Sequence, residues 1–378
     1  MRKLVFISNM AAPYQVKFCH AMQAYFDAEF WYHVRLEPDR PGWWRVPLGP
    51  RNRILDHVLL SRSRRYLSLD IVRELDRFDP DVVMLGGLVL LSNVVAYAWA
   101  KARGKHVVAF TELRRSPAGE PRGRDAVAAL LRAYYGDLDC IMTSAEEGAR
   151  QYRDDYGFPR VVSAHYPADI DGYFRHADRP RDRPCTILFP NRLIDLYDPL
   201  LALEVFARVR AGHPELRMLM NAAGPLRAAC EERIATFGQP SPVSFLDGIA
   251  RWDDLPLAYD RADILLLPAR FSVGNFTIVE GMASGMGMVV SDRIQGFGQL
   301  IREGHNGFSR PPEVEAMADG IERYLAEPTL YSAHAAINRE LVRPYTLAET
   351  ARLFRDVVES VVGPDWLRRN GGTGASSP

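Results

Sequence analysis

Between Phe271 and Ser291 the chain reads FSVGNFTIVEGMASGMGMVVS, and Glu280 is the one carboxylate in it. Gly274 and Asn275 make a turn with uncrowded amides, followed by a helix predicted from about Thr277. The first amides of a helix have no intrahelical partner and carry the positive end of its dipole, so this turn suits a diphosphate. Glu280 falls one turn into the helix. Gly281, Ala283, Ser284 and Gly285 keep that helix slim enough for a ligand or a sheet to approach. The plainer alternative is an ordinary strand–helix turn with an early Glu favoured by the dipole. Arg192 follows the strand-like run CTILFP, and a planar guanidinium there suits two phosphate oxygens at once; the alternative is a surface arginine.

Other residues narrow the chemistry. Lys occurs only at positions 3, 17, 101 and 105, so any cation the second half needs must be an arginine. The nine histidines are scattered and the four cysteines stand far apart, so neither a metal site nor a disulfide framework is expected. Glu112, after the run KHVVAF, is a candidate acceptor-binding or proton-handling carboxylate. Arg114, Arg115, Arg122 and Arg124 cluster beside it, and Arg62, Arg64 and Arg65 form a second cluster. Each reads first as a solvated loop. The functional alternative is attraction to an anionic acceptor at a membrane surface, where Trp43 and Trp44 could insert, although buried aromatics are commoner.

The elements that must position these groups alternate strand and helix. KLVFIS, FWYHV, PDVVMLG, KHVVAF and DCIMTS are short apolar runs separated by helix-period segments. Strands buried on both faces and alternating with helices indicate a parallel, doubly wound α/β sheet. The pattern restarts after HADRPRDRP (176–184), a charged, proline-rich linker candidate, with CTILFP, LRMLMNAAG, PVSFLDG, ADILLLPA and GMVVSD. At 378 residues the chain suits two domains: 1–178 and 179–342, followed by an amphipathic helix within 343–366 expected to pack back on the first domain, and a disordered tail 367–378. Two facing domains of this kind leave a cleft at their strand C-terminal ends, where ligands bind.

In this order the segments resemble the family-4, group 1 retaining glycosyltransferases of the GT-B fold. FPNRL (189–193) is similar to the family's Gly-Arg-Leu element, and RMLMNAAGP to its strand ending in a Gly-x-Gly-Pro-like turn. VSFLDGIARWDDLPLAYDRADILLLPA resembles the segment with the base-contacting loop. The run from Phe271 is similar to the Glu-x7-Glu motif, GQLIREGHNGF to the segment after it, and SNMAAPYQVKF to the "Ser-Pro-Tyr-Arg" start of one branch. The resemblance spans nearly the full length. It implies a nucleoside diphosphate sugar as donor, no separate cofactor, a saccharide or lipid-linked acceptor, and no nucleic-acid partner. It assigns Arg192, Glu280 and Glu112 to catalysis, with Glu280 accepting from the ribose hydroxyls. Donor binding falls to Ser272, Gly274, Asn275, Phe276, Thr277 and Gly224.

Three positions depart from the pattern. Tyr197 stands where the family has its Lys, Ser272 where it has its first Glu, and Asn191 where it has the first glycine of the Arg element. The leaving diphosphate would then rest on Arg192, the helix N-terminus and Arg270 or another arginine. The same departures also fit a nucleotide-sugar-binding or coupling protein that has lost transfer. A dinucleotide oxidoreductase is disfavoured because SNMAAPY lacks a GxGxxG fingerprint. The longest apolar run, Leu88 to Ala100, is interrupted by Ser92 and Asn93 and falls short of the roughly 20 residues of a membrane span. A cytoplasmic protein is expected, peripheral at most to the membrane's inner face.

Overall fold

The computed structural model describes residues 1–38, 40–60, 66–112, 124–174, 185–246 and 248–363. Two parallel sheets organise it. The first has seven strands in the spatial order Asn52–Ile54, Asp27–Val34, Lys3–Met10, Val82–Gly86, His106–Thr111, Cys140–Thr143, Val161–Ser163. The second has six, in the order Val243–Phe245, Arg217–Met220, Thr186–Phe189, Ile264–Leu267, Gly287–Ser291, Phe308–Arg310.

Both faces of each sheet are covered, which is why the strands read as unbroken apolar runs rather than alternating ones. In the first sheet Leu4, Phe6 and Met84 point to one face and Val5, Ile7 and Val83 to the other, all at most 2% exposed. In the second, Ile187, Phe189 and Met218 face one layer while Leu188, Leu265 and Val290 face the opposite one. Full burial of such a side chain is worth about 1.5–3 kcal/mol, so these central strands anchor the two halves.

The helix Leu347–Val362 starts at Thr346, whose hydroxyl accepts from the Glu349 amide. Ser/Thr followed three residues later by Glu is the pairing that favours a helix start there. Its apolar face carries Phe354 onto Phe18 and Phe110 of the first half, with ring centroids 5.1 and 5.2 Å apart. The crossing between the halves comes earlier than the composition suggests. Ala168, Ile170 and Tyr173, expected in the first domain, are buried in the core of the second sheet. The linker candidate 176–184 and the tail 367–378 lie outside the described residues. No helix among the described residues is long and apolar enough to cross a membrane.

Candidate functional site

A cavity of about 230 Å³ lies between the halves, lined by residues of both. Its floor is the turn Ser272–Asn275 and the helix Phe276–Ala283. Asn275 caps this helix, its Oδ1 accepting from the Thr277 amide at 3.3 Å and the Thr277 hydroxyl at 2.6 Å. An Asn side chain in this place satisfies one amide of the first turn, and the Asn275 backbone carbonyl accepts from the Ile278 amide at 3.2 Å. Gly274 is less open than the sequence suggests. Its φ is +63°, and a Cβ there would stand 2.8 Å from the Tyr166 ring. Both facts require glycine. Gly281 serves the other side of the helix, where a Cβ would press on Leu265 and Met288 of the sheet.

Glu280 lines the cavity at 5% exposure. One of its oxygens, Oε2, accepts from the Tyr259 hydroxyl, and the Tyr173 hydroxyl also hydrogen-bonds the carboxylate. Burial pushes its pKa up to about 7; the two tyrosine hydrogen bonds pull it down, and the charge of Asp169 pushes it up. Arg192 reaches the same cavity from the loop after Thr186–Phe189. That loop is held by backbone contacts, the Leu193 amide donating to the Ala223 carbonyl at 2.8 Å.

Ser272, Gly274, Asn275, Phe276, Thr277, Glu280 and Arg192 are thus gathered in one cavity, with Asn191 and Tyr197 beside them. Three other candidates are not. Gly224 lies behind the wall: with φ at +149°, any Cβ would fall 2.3 Å from the Leu193 carbonyl oxygen. Its neighbours Asn221–Ala223 line the cavity, and the glycine serves to let two loops touch. Glu112 is exposed outside the cavity and accepts from the Tyr166 hydroxyl, so it reaches the site only through that ring. Arg270 does not line the cavity either, and its Nε is engaged by Asp198 at 2.8 Å.

Trp43 and Trp44 follow the commoner of the two readings, as packed aromatics: they line the cavity against Trp252 of the second half, at 5.9 and 5.4 Å. Arg62, Arg64, Arg65, Arg114, Arg115 and Arg122, and the Arg124 side chain, lie outside the described residues. Sequence reasoning missed Arg40, Tyr259, Tyr173, Tyr14 and Trp252. Tyr14 packs its ring 4.7 Å from Phe276 across the cleft. Arg40 and Tyr173 have no local signal; Tyr14 lies within SNMAAPYQVKF, and Trp252 and Tyr259 within the segment read as carrying a base-contacting loop, but none of the three was singled out. Among the described residues no group of acids, histidines and cysteines could hold a metal ion.

Comparison with known proteins gives this geometry its family. Residues 174–340 match the family described as "Glycosyl transferases group 1". They form a group 1 glycosyl transferase domain. Similar proteins include an exopolysaccharide phosphotransferase of Streptomyces coelicolor, 24% identical over 268 residues, covering 70% of this chain and 27% of that protein. Another is a D-inositol 3-phosphate glycosyltransferase of Acidothermus cellulolyticus, 28% identical over 244 residues, covering 60% of this chain and 52% of that one. The chain spans between about a quarter and about half of the length of the curated relatives it matches. Among solved structures, Anabaena HepE in complex with UDP superposes with a TM-score of 0.70 at 14% identity, over 95% of this chain and 100% of that one. A glycosyltransferase of Rickettsia africae gives 0.69 at 14% identity, over 96% and 99%. The fold is GT-B, and the glycosyl transferase domain supplies the cavity's floor together with Arg192 and Glu280.

Proposed function

We propose that the protein transfers a glycosyl group from a nucleoside diphosphate sugar to a saccharide or lipid-linked acceptor, with retention of configuration. The observation that carries this reading is the convergence of the capped helix start, Arg192 and Glu280 on one interdomain cavity. The Phe276 amide at the helix start and the Arg192 guanidinium suit a diphosphate, and Glu280 stands one turn below, within the same walls, for the ribose hydroxyls. In the transfer the bond between the anomeric carbon and the diphosphate oxygen breaks, and its electron pair leaves with the diphosphate. The acceptor oxygen bonds to the same carbon on the same face, and its proton passes to the departing phosphate oxygen. Charge grows on the leaving group, so fixed N–H donors and a guanidinium lower the barrier without a protein nucleophile. The halves pack over the site through Tyr14–Phe276 and Trp44–Trp252, which limits water that would hydrolyse the donor.

Tyr197 and Ser272 favour a second reading, a protein that binds nucleotide sugars without transferring them. A thermal-shift panel of UDP, GDP, ADP, CDP and TDP and their glucose or mannose conjugates tests both. A ligand at 100 times its Kd raises stability by about 2.7 kcal/mol. Stabilisation followed by acceptor-dependent release of the diphosphate supports transfer, and NMR of the product anomer checks retention. Stabilisation with no release against a broad acceptor set supports the second reading. No stabilisation by any of them sinks both.

A further inference from the structure

Two features of the cavity lie outside the motif that suggested it. The first is its charge. Among the described residues lining it, the cations are Arg192 and Arg40, one from each half of the chain. Arg40 follows the strand Asp27–Val34 in the first half, and its guanidinium carbon lies 5.0 Å over the Trp44 ring. Trp44 in turn packs on Trp252, so the stacking fixes the arginine against the second half. The Arg40 charge also reaches the Tyr14 hydroxyl. Burial and the charge of Glu112 push that hydroxyl up to about 12, and Arg40 opposes them. Tyr14 packs on Phe276, the first residue of the cavity's helix. Arg40 is therefore placed on the side of the helix N-terminus.

The second feature is a pair of donors with nothing to donate to. Asn191 and Asn275 are each 7% exposed, line the cavity, and have side-chain nitrogens without a hydrogen-bond partner. For Asn275 the orientation is set, because its oxygen is engaged by Thr277. A buried donor left unpaired costs about 1–3 kcal/mol, which a ligand rich in acceptor oxygens would recover.

We propose that Arg40 is the second cation of the donor site, closing on the diphosphate from the first half while Arg192 holds it from the second, with the amides of Asn191 and Asn275 donating to the same oxygens. This rests on the transferase reading above and adds a catalytic residue to it. The leaving group gains negative charge as its bond to the sugar breaks, and two guanidiniums with two neutral donors spread that charge where Tyr197 offers none. Arg270 does not line the cavity, and its Nε is engaged by Asp198 at 2.8 Å. A cation borrowed from the opposite half also makes the charge clamp complete only when the halves are together.

Calorimetry on the full chain tests the assignment, pairing UDP with UMP, GDP with GMP and ADP with AMP. The wild type is expected to bind one diphosphate at least about tenfold tighter than its monophosphate, since a hydrogen bond to a charged group is worth about 1.5–3 kcal/mol. Arg40→Met and Arg40→Gln should lose most of that gap while monophosphate affinity holds within about twofold, and Arg40→Lys should recover part of it. Arg45→Ala, an exposed neighbour that does not line the cavity, should leave the gap intact. In turnover the Arg40 variants should lower kcat more than they raise donor KM. A folded Arg40→Met or Arg40→Gln protein with the wild-type gap overturns the proposal alone. A wild type that binds none of the six nucleotides overturns it together with the transferase reading.

Discussion

Two cavities of similar size lie between the halves and share Trp252, yet they are chemically opposite. The first, about 230 Å³, holds unpaired amide nitrogens on Asn191 and Asn275 and a carboxyl raised to about 7. The second, about 260 Å³, is lined by Lys17, Asp169 and Asp253, and there the charges already satisfy one another. Lys17 bridges to Asp169 at 2.7 Å and to Asp253 at 2.5 Å, and Trp252 donates to Asp169 at 2.6 Å. Burial opposes the charge on Lys17, but the two carboxylates outweigh it and hold the ammonium above its ordinary pKa. Buried polar groups are normally paired, so unpaired ones mark where a ligand completes the structure, and the paired set marks a brace between domains. Volume alone does not separate a site from a brace; hydrogen-bond accounting does.

That contrast breaks most readily at Arg192. Arg192→Ala should lower turnover about 10²–10³-fold with the fold intact, the loss expected when one fixed donor to a developing oxyanion is removed. Steady-state kinetics beside a melting curve check it, and unchanged kcat would strip the first cavity of its role.

Glu280 gives the next largest effect, and its sign follows from the raised pKa. The folded protein keeps this carboxyl protonated up to about pH 7, whereas the unfolded chain releases the proton near its ordinary 4.5. The stabilisation is therefore fully present below about pH 4.5 and is lost as pH rises through about 7. The loss is on the order of 3 kcal/mol. Glu280→Gln keeps an acceptor for Tyr259 and should flatten that part of the curve. Denaturant midpoints at pH 5 and 8, compared between the two proteins, check it. Above pH 7, where the carboxyl is ionised, Glu280→Ala should in addition weaken nucleotide binding by about 10- to 100-fold, the value of hydrogen bonds to a charged acceptor.

Gly274→Ala forces a Cβ onto Tyr166 and a side chain into a left-handed conformation, for a loss of about 1–3 kcal/mol. Because Tyr166 also carries Glu112, turnover should fall with it. A wild-type melting temperature in this variant would show that the turn is free to move. Lys17→Met probes the brace. Lys17 is one-third exposed and Asp253 two-thirds, so stability should fall by no more than about 1 kcal/mol, with nucleotide affinity untouched. A large loss of affinity there would merge the two cavities into one functional unit.

Much of the frame is legible in the order of residues. The runs KLVFIS and ADILLLPA read as strands covered on both faces, and both lie at sheet interiors with side chains alternating between two packed layers. The turn before Glu280 is legible too, because a helix start is written in a few adjacent residues: glycine for the backbone, Asn275 for the cap, then an apolar helix. Reading became unreliable where a role depends on what arrives from elsewhere. Glu112 looked like a site residue because it follows a strand, but its carboxylate is spent on Tyr166, 54 residues away. Trp43 and Trp44 read as packed aromatics, but nothing near them in sequence announces Trp252 as the partner.

By itself, then, the order of residues determined the two doubly wound sheets, the glycine turn and the lone acid behind it, since backbone conformation and strand burial are set by neighbours within a few positions. Only the tertiary structure decided that Tyr259 and Tyr173 hold Glu280, that Arg270 is engaged by Asp198, and that Arg40 enters from the other half. Those meetings depend on how whole elements pack across a cleft, and no short-range pattern encodes the side chain that a distant loop will bring.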